Sequence, residues 1–246
     1  MTAAPQDQWR LLDVQAHDTR LAQLAHRRRT LPELAELAAL AERGRAHGDR
    51  LIAARTVVED VTRELAKAEA DVEQVRARAA RNRVRLDSGQ GTPKDLQALQ
   101  HEVESLAARQ STLEDVELEV MERLEQASAD LDGLRAEAEQ LESETARITE
   151  RRDAALAALD DEAAAEQRGR DNAAAGLPAD LLALYERIRA ANAGVGAARL
   201  SQRRCEGCRL ELNTTDIGRL RDAAEDAVIR CEECGRILVR TAESGL

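Results

Sequence analysis

Asp87-Ser88-Gly89-Gln90-Gly91-Thr92-Pro93-Lys94 decides the fold, because it separates two long runs that share one hydrophobic period. Two glycines, a serine and a proline within eight residues break any regular element, and Thr-Pro supplies a cap followed by a first helical position. Downstream, one seam position holds Leu96, Val103, Gln110, Glu117, Leu124, Leu131, Ala138, Thr145, Arg152 and Leu159. The other holds Leu99, Leu106, Leu113, Val120, Ala127, Leu134, Leu141, Ile148 and Ala155. Fifteen of these 19 positions are apolar, which is the 3-4 period of a left-handed coiled coil. Upstream, Leu51, Ala54, Val58, Val61, Leu65, Ala68, Val72, Val75, Ala79, Asn82 and Leu86 keep the same spacing, with Asn82 its one polar member. Two such helices joined by so short a loop fold back antiparallel.

Length supports this pairing. The second helix, from Pro93 to about Arg168, should span on the order of 110 Å at ~1.5 Å per residue. Counting back equally from the loop reaches Leu11, Val14, Leu21 and Ala25, a further apolar stripe. Leu31-Pro32 interrupts the first arm, so a kink or short break is expected near residues 30–32. Gly44 and Gly48 mark a second soft region, with His47 as a tolerated polar seam residue. Gly169 to Gly176 reads as a linker or frayed helix end. A short amphipathic helix begins at Leu177-Pro178, carries Leu181, Leu184, Tyr185 and Ile188 on one face, and stops at Asn192 and Gly194. Tyr185 and Trp9 read as packing residues.

The only four cysteines lie in two pairs, Cys205-x2-Cys208 and Cys231-x2-Cys234, separated by 22 residues. Each pair puts two sulfurs on one tight turn, and two such turns complete a tetrahedral S4 shell around one metal ion. Thiolate sulfur suits zinc, with iron as the competitor. Gly207 and Gly235 suit turns that need positive φ. Two disulfides would require an oxidising compartment, and a redox pair would need a βαβ surround that is not visible. Thr214 to Ala224 reads as a short helix between the turns, and Ile237-Leu238-Val239 as a strand. So small a core needs its metal to fold.

The fold class expected is therefore mainly α: a long antiparallel coiled-coil hairpin plus a small C-terminal C4 zinc ribbon with short strands. The expected division is 1–170 hairpin with its loop near 87–93, 171–194 linker and short helix, and 195–246 ribbon. An intramolecular hairpin and a domain-swapped dimer satisfy the same seams. The composition agrees, since the chain is 34% charged and about 1% aromatic, which suits helices burying a stripe rather than one large globular core. The N-terminal residues show neither a basic n-region nor an apolar h-region, and no segment approaches ~18 uninterrupted apolar residues. A cytoplasmic protein with no membrane span is expected.

The chain resembles a family of bacterial coiled-coil hairpin proteins with a C-terminal C4-type zinc ribbon. The matching stretches are Ser88 to Glu102, Leu113-Glu114-Asp115, Leu177-Pro178 with Tyr185-Glu186, and Cys205-Glu206-Gly207-Cys208 with Cys231-Glu232-Glu233-Cys234-Gly235-Arg236-Ile237-Leu238. The resemblance implies one structural Zn2+ held by Cys205, Cys208, Cys231 and Cys234. It also implies an adaptor role, some members being linked to flagellar regulation through protein or RNA binding. Where that family often has proline after the first cysteine of the second pair, this chain has Glu232.

Charge weighs the functional classes. Four thiolates leave no open metal position, and no phosphate loop, nucleophile elbow or His-carboxylate cluster is visible, so neither an enzyme nor a small-molecule substrate is expected. Residues 199–246 hold nine Arg and nine acids, which disfavours generic phosphate binding. Candidate contacts for nucleic acid or an acidic partner are Arg199, Arg203 and Arg204 on the ribbon, and Arg76, Arg78, Arg81, Arg83, Arg85 and Lys94 at the hairpin tip. From Glu102 to Glu150, 15 acids face four Arg, a balance that suits a basic protein partner. The expected function is a non-enzymatic adaptor docking protein partners; RNA or DNA binding through the ribbon and tip is the alternative.

Overall fold

The computed structural model describes all 246 residues. The elements run α1 (Pro5–Arg29), α2 (Pro32–Asp87), α3 (Pro93–Ala174), α4 (Ala179–Ala191), β1 (Ala197–Ser201), β2 (Arg204–Cys205), α5 (Thr214–Asp222), β3 (Ile229–Arg230) and β4 (Ile237–Val239). They form two compact units, Met1–Leu34 with Glu150–Leu246, and Ala35–Thr149.

In the unit from Ala35 to Thr149, α2 and α3 form a helical hairpin closed by the loop at 88–92. The loop works as its residues require. Gly89 and Gly91 take positive φ, and Thr92 caps α3. Thr92 Oγ1 accepts from the Asp95 backbone N–H at 3.3 Å while the Asp95 carboxylate accepts from the Thr92 N–H at 3.1 Å. That reciprocal box satisfies two otherwise orphaned donors. Every upstream seam residue from Leu51 to Leu86 is buried or half-buried, with Val72 1% exposed.

Two details differ from the sequence pattern here. Thr145 is exposed although it holds a seam position. It borders an apolar hollow of about 490 Å³ with Gly44, Gly48 and Leu141, where the facing residues are too small to fill the seam. The glycines do not interrupt α2, which runs unbroken past both, since neighbouring hydrogen bonds tolerate isolated helical glycine at about 1 kcal/mol each. Within the seam, Asn82 is 8% exposed and its Nδ2 has no acceptor. His47 is buried with Nε2 2.8 Å from the Leu134 carbonyl, a satisfied polar seam residue.

In the other unit, the break expected near residues 30–32 separates α1 from α2 at Thr30 and Leu31. The α1 stripe is Leu11, Val14, Asp18, Leu21 and Leu24, not Ala25, which is exposed. Residues 169–174, read as linker, are the end of α3. Gly169 lies in that helix for a steric reason: a Cβ there would meet the His17 ring at 2.5 Å.

The four short strands form one sheet in the order β2-β1-β4-β3, with β1 and β4 parallel and the outer pairs antiparallel. Ile237, Leu238 and Val239 are all buried because both faces of the sheet are covered. Ile237 and Val239 join Leu11, Val14, Leu181, Tyr185 and Ile188 in one core, while Leu238 joins Leu200, Ile217, Leu220, Cys205 and Cys231 in the other. Apolar packing therefore crosses residue 195, where the secondary structure changes. The N-terminal residues extend the β3 side, with Ala3 N–H donating to Asp226 at 2.8 Å and Thr2 bridging Ala227.

Candidate metal centre

The two cysteine turns repeat one local design. In each, the residue after the second cysteine has left-handed backbone, Arg209 at φ 63° and Gly235 at φ 70°. Its N–H returns to the carbonyl of the first cysteine, at 2.7 Å for Arg209 to Cys205 and 2.8 Å for Gly235 to Cys231. The N–H of the first cysteine bonds five residues ahead, Cys205 to Leu210 at 3.0 Å and Cys231 to Arg236 at 2.9 Å. Glycine suits the left-handed position in the second turn, whereas Arg209 adopts it at a cost of about 1 kcal/mol. The positive φ expected at Gly207 is absent. That glycine is needed for space, since a Cβ would lie 2.8 Å from Arg236 Cδ and 2.9 Å from Ala198 Cβ.

The folded turns bring Cys205 Sγ to 3.9 Å from Cys234 Sγ and Cys208 Sγ to 4.0 Å from Cys231 Sγ, with all four sulfurs within 4.8 Å of one another. A tetrahedron with Zn–S bonds of ~2.3 Å has S···S edges of roughly 3.8 Å, so the four sulfurs fit one zinc ion with little movement. Cys205 and Cys231 are buried and Cys208 and Cys234 half-buried. Burial pushes the Cys205 and Cys231 thiols up, against backbone N–H groups of Gly207, Cys208, Glu233 and Cys234 that favour thiolate. Burial also raises Cys234, yet hydrogen bonds from Arg236 and the neighbouring thiols outweigh it and bring that thiol down to about 7. Backbone donors aimed at sulfur stabilise thiolate ligands once a cation is bound. All-thiolate ligation closes the shell and makes the ion structural.

The surroundings hold this centre against the helices through residues that the spacing of the cysteines did not reveal. Arg236 donates from Nε to Val195 O and from Nη2 to Asn192 O, both at 3.2 Å, at the C-terminal end of α4. Arg240 donates to the carbonyls of Leu220 in the last turn of α5 and of Ala223, Ala224, Glu225 and Ala227 just past it. Its own carbonyl accepts from Trp9 Nε1 at 2.8 Å, and Trp9 remains 47% exposed, so it only partly packs. Gln15 Oε1 accepts from the Gly196 N–H at 2.7 Å, and its Nε2 donates to Gly194 O at 3.0 Å.

Beside Gln15 lies a buried charged group. The Asp18 side chain is 3% exposed and accepts from Arg170 Nε at 2.8 Å and from Tyr185 Oη at 2.6 Å, with Arg189 Nη1 at 3.4 Å. Arg170 also pairs with Glu186. Tyr185 is fully buried, and burial together with Asp18 drives its hydroxyl strongly upward, keeping it a neutral donor. The signal for this network was Asp18 on the otherwise apolar Leu11-Val14-Leu21 stripe.

The candidate contact residues are exposed. On the ribbon, Arg199 pairs with Glu243 at 3.2 Å, Arg203 Nε donates to Gly245 O at 3.3 Å, and Arg204 has no ionic partner. In the hairpin unit, Arg76 pairs with Glu114 at 2.6 Å and Arg78 with Glu102. Arg81, Arg83, Arg85 and Lys94 have no ionic partner. Glu232, beside the metal site, pairs with Arg219 at 2.7 Å and so does not crowd the sulfurs with an uncompensated charge.

Comparison with known proteins agrees with this geometry. Residues 14–193 match the CT398-like coiled coil hairpin domain and residues 204–238 the C4-type zinc ribbon domain. The uncharacterized protein Rv2229c of Mycobacterium tuberculosis is 38% identical over 240 residues, covering 98% of each chain. A solved structure from Mycobacterium smegmatis is 37% identical, covers 98% of this chain and 100% of its own, and has a TM-score of 0.86. The structure of CT398 from Chlamydia trachomatis, 17% identical with a TM-score of 0.67, shares the fold over 96% of this chain and 98% of its own. No helix is long and apolar enough to cross a membrane. The chain belongs to the CT398-like coiled-coil hairpin family and carries a C4-type zinc ribbon with one structural zinc site.

Proposed function

We propose that this protein is a non-enzymatic cytoplasmic adaptor that docks protein partners on its zinc ribbon. The supporting observation is the way the sheet is held. Its inner face is packed on α1 and α4, its four cysteine sulfurs gather within 4.8 Å where they can close a metal shell, and Arg236 and Arg240 spend their donors on backbone carbonyls. Such a ribbon offers a preorganised outer surface, including Arg204, Arg209 and the half-exposed Leu210, and preorganisation lowers the entropic cost of binding. A reducing cytoplasm keeps the four sulfurs available to zinc.

The unpaired Arg81, Arg83, Arg85 and Lys94 favour a second reading, in which the hairpin tip contacts nucleic acid. One experiment separates the two. Zinc-loaded protein and an Arg204→Glu/Arg209→Glu variant are used to capture partners from lysate with and without nuclease. Defined protein partners that survive nuclease and are lost with the ribbon variant support the adaptor. Partners lost with nuclease, together with recovered RNA or DNA, move the function to nucleic-acid binding.

A further inference from the structure

Within the unit from Ala35 to Thr149, some acids of α3 are neutralised by arginines of α2 and others are not. Glu102, Glu114, Glu137 and Glu144 are spent on Arg78, Arg76, Arg50 and Arg43 of α2. Asp115, Glu119, Glu122 and Glu125 are exposed and have no ionic partner. The one base among them, Arg123, pairs with Glu64 at 2.9 Å.

The same stretch leaves large apolar side chains in water: Leu118 is 57% exposed and Met121 47%. Helical spacing puts Leu118 next to Asp115, Met121 and Glu122, and Met121 next to Leu118 and Glu125. Val120 and Leu124 turn into the seam, so Leu118 and Met121 lie on the helix flank away from it. Met121 is the only methionine besides Met1. An exposed thioether beside leucine suits a surface that repacks against a partner side chain.

The geometry points to this flank of α3, Asp115 to Glu125, as a docking site for a cationic amphipathic helix of a protein partner. Leu118 and Met121 receive its apolar ridge, while Asp115, Glu122 and Glu125, beside and between them, pair with Lys or Arg next to that ridge. The charge decides the occupant: a net −11 chain with unneutralised acids around the patch repels nucleic acid and an acidic protein alike. The inference deepens the adaptor reading and depends on it, since it names a second kind of partner surface.

The test is binding of a fluorescent Leu/Lys amphipathic helical peptide of about 18 residues to the full zinc-loaded chain. Leu118→Ser/Met121→Ser and Glu122→Lys/Glu125→Lys should each weaken binding by about tenfold or more, near 1.4 kcal/mol. Glu139→Lys/Glu142→Lys, further along the same helix, should change it less than about twofold. A sequence-scrambled peptide of equal charge should bind weakly. Equal binding of the scrambled peptide, or an equal loss in the Glu139/Glu142 variant, would overturn the site by showing generic charge attraction. Either result leaves the ribbon-mediated capture described above intact, so the two readings fail separately.

Discussion

In the unit from Ala35 to Thr149, the buried apolar side chains are Leu40, Val61, Ala68, Val72, Val75, Leu106, Val120, Leu131 and Ile148, recurring along a seam that also takes in His47 and Asn82. In the metal-bearing unit they include Tyr185, Gln15, Asp18, Cys205 and Cys231, drawn from helices and strands far apart in the chain. The first unit distributes its stability over many similar contacts, so losing one is tolerated. The second concentrates stability in a metal shell and one charged cluster, where each lost partner strands a buried polar group. The difference is in the kind of failure each unit permits.

The largest effect is expected at the metal. Cys231→Ser should abolish stoichiometric zinc, measured by metal analysis, and remove amide-exchange protection from residues 197–239, while far-UV helical signal largely persists. Apparent binding energies of about 10–16 kcal/mol for such zinc sites exceed what the small sheet supplies alone. Zinc retention in a chelator challenge should fall as pH falls, because protons compete for thiolates, and Cys205 and Cys231 are already pushed toward the protonated form. Collapse of the whole helical signal on zinc loss would break the contrast between the units.

Next comes Arg170→Met, which removes a principal partner of buried Asp18. A loss of about 3 kcal/mol in chemical unfolding is expected, together with faster exchange in α4. Arg189 at 3.4 Å is too long and too exposed to compensate. A loss under about 0.5 kcal/mol would place Asp18 among surface charges.

The hairpin should respond in the opposite direction. Asn82→Leu replaces a buried amide whose Nδ2 lacks an acceptor, so stabilisation of about 1–2 kcal/mol is expected in urea melts. Destabilisation would show that Asn82 fixes the register of the two helices. The smallest effect is at Arg209→Gly, which relieves a left-handed arginine and should stabilise the zinc-bound ribbon by up to about 1 kcal/mol.

Legibility followed the same contrast. The eleven seam residues from Leu51 to Leu86 could be read directly because a seam repeats every three or four residues and needs only local period to define it. The stripe on α1 was read correctly at Leu11, Val14 and Leu21 but misplaced at Ala25. There the buried stripe steps from Leu21 to Leu24, which is 2% exposed, instead of continuing the heptad to Ala25. Helix α3 was ended early at a glycine whose role is close contact with His17, a partner about 150 positions away in sequence.

The sequence by itself determined the hairpin, its loop, the break near residue 31 and the four zinc ligands, because heptad period, Gly/Pro chemistry and C-x-x-C spacing act over a few residues. Only the tertiary structure decided that Gln15 and Arg236 bind the ribbon to α1 and α4, that Asp18 and Arg170 tie the helices together, and that Arg240 braces the carbonyls around the end of α5. It also assigned Gly207 to space and Arg209 to the strained turn. Those roles depend on which distant backbone carbonyls and side chains come within about 3 Å, a property of the packed chain that no local spacing encodes.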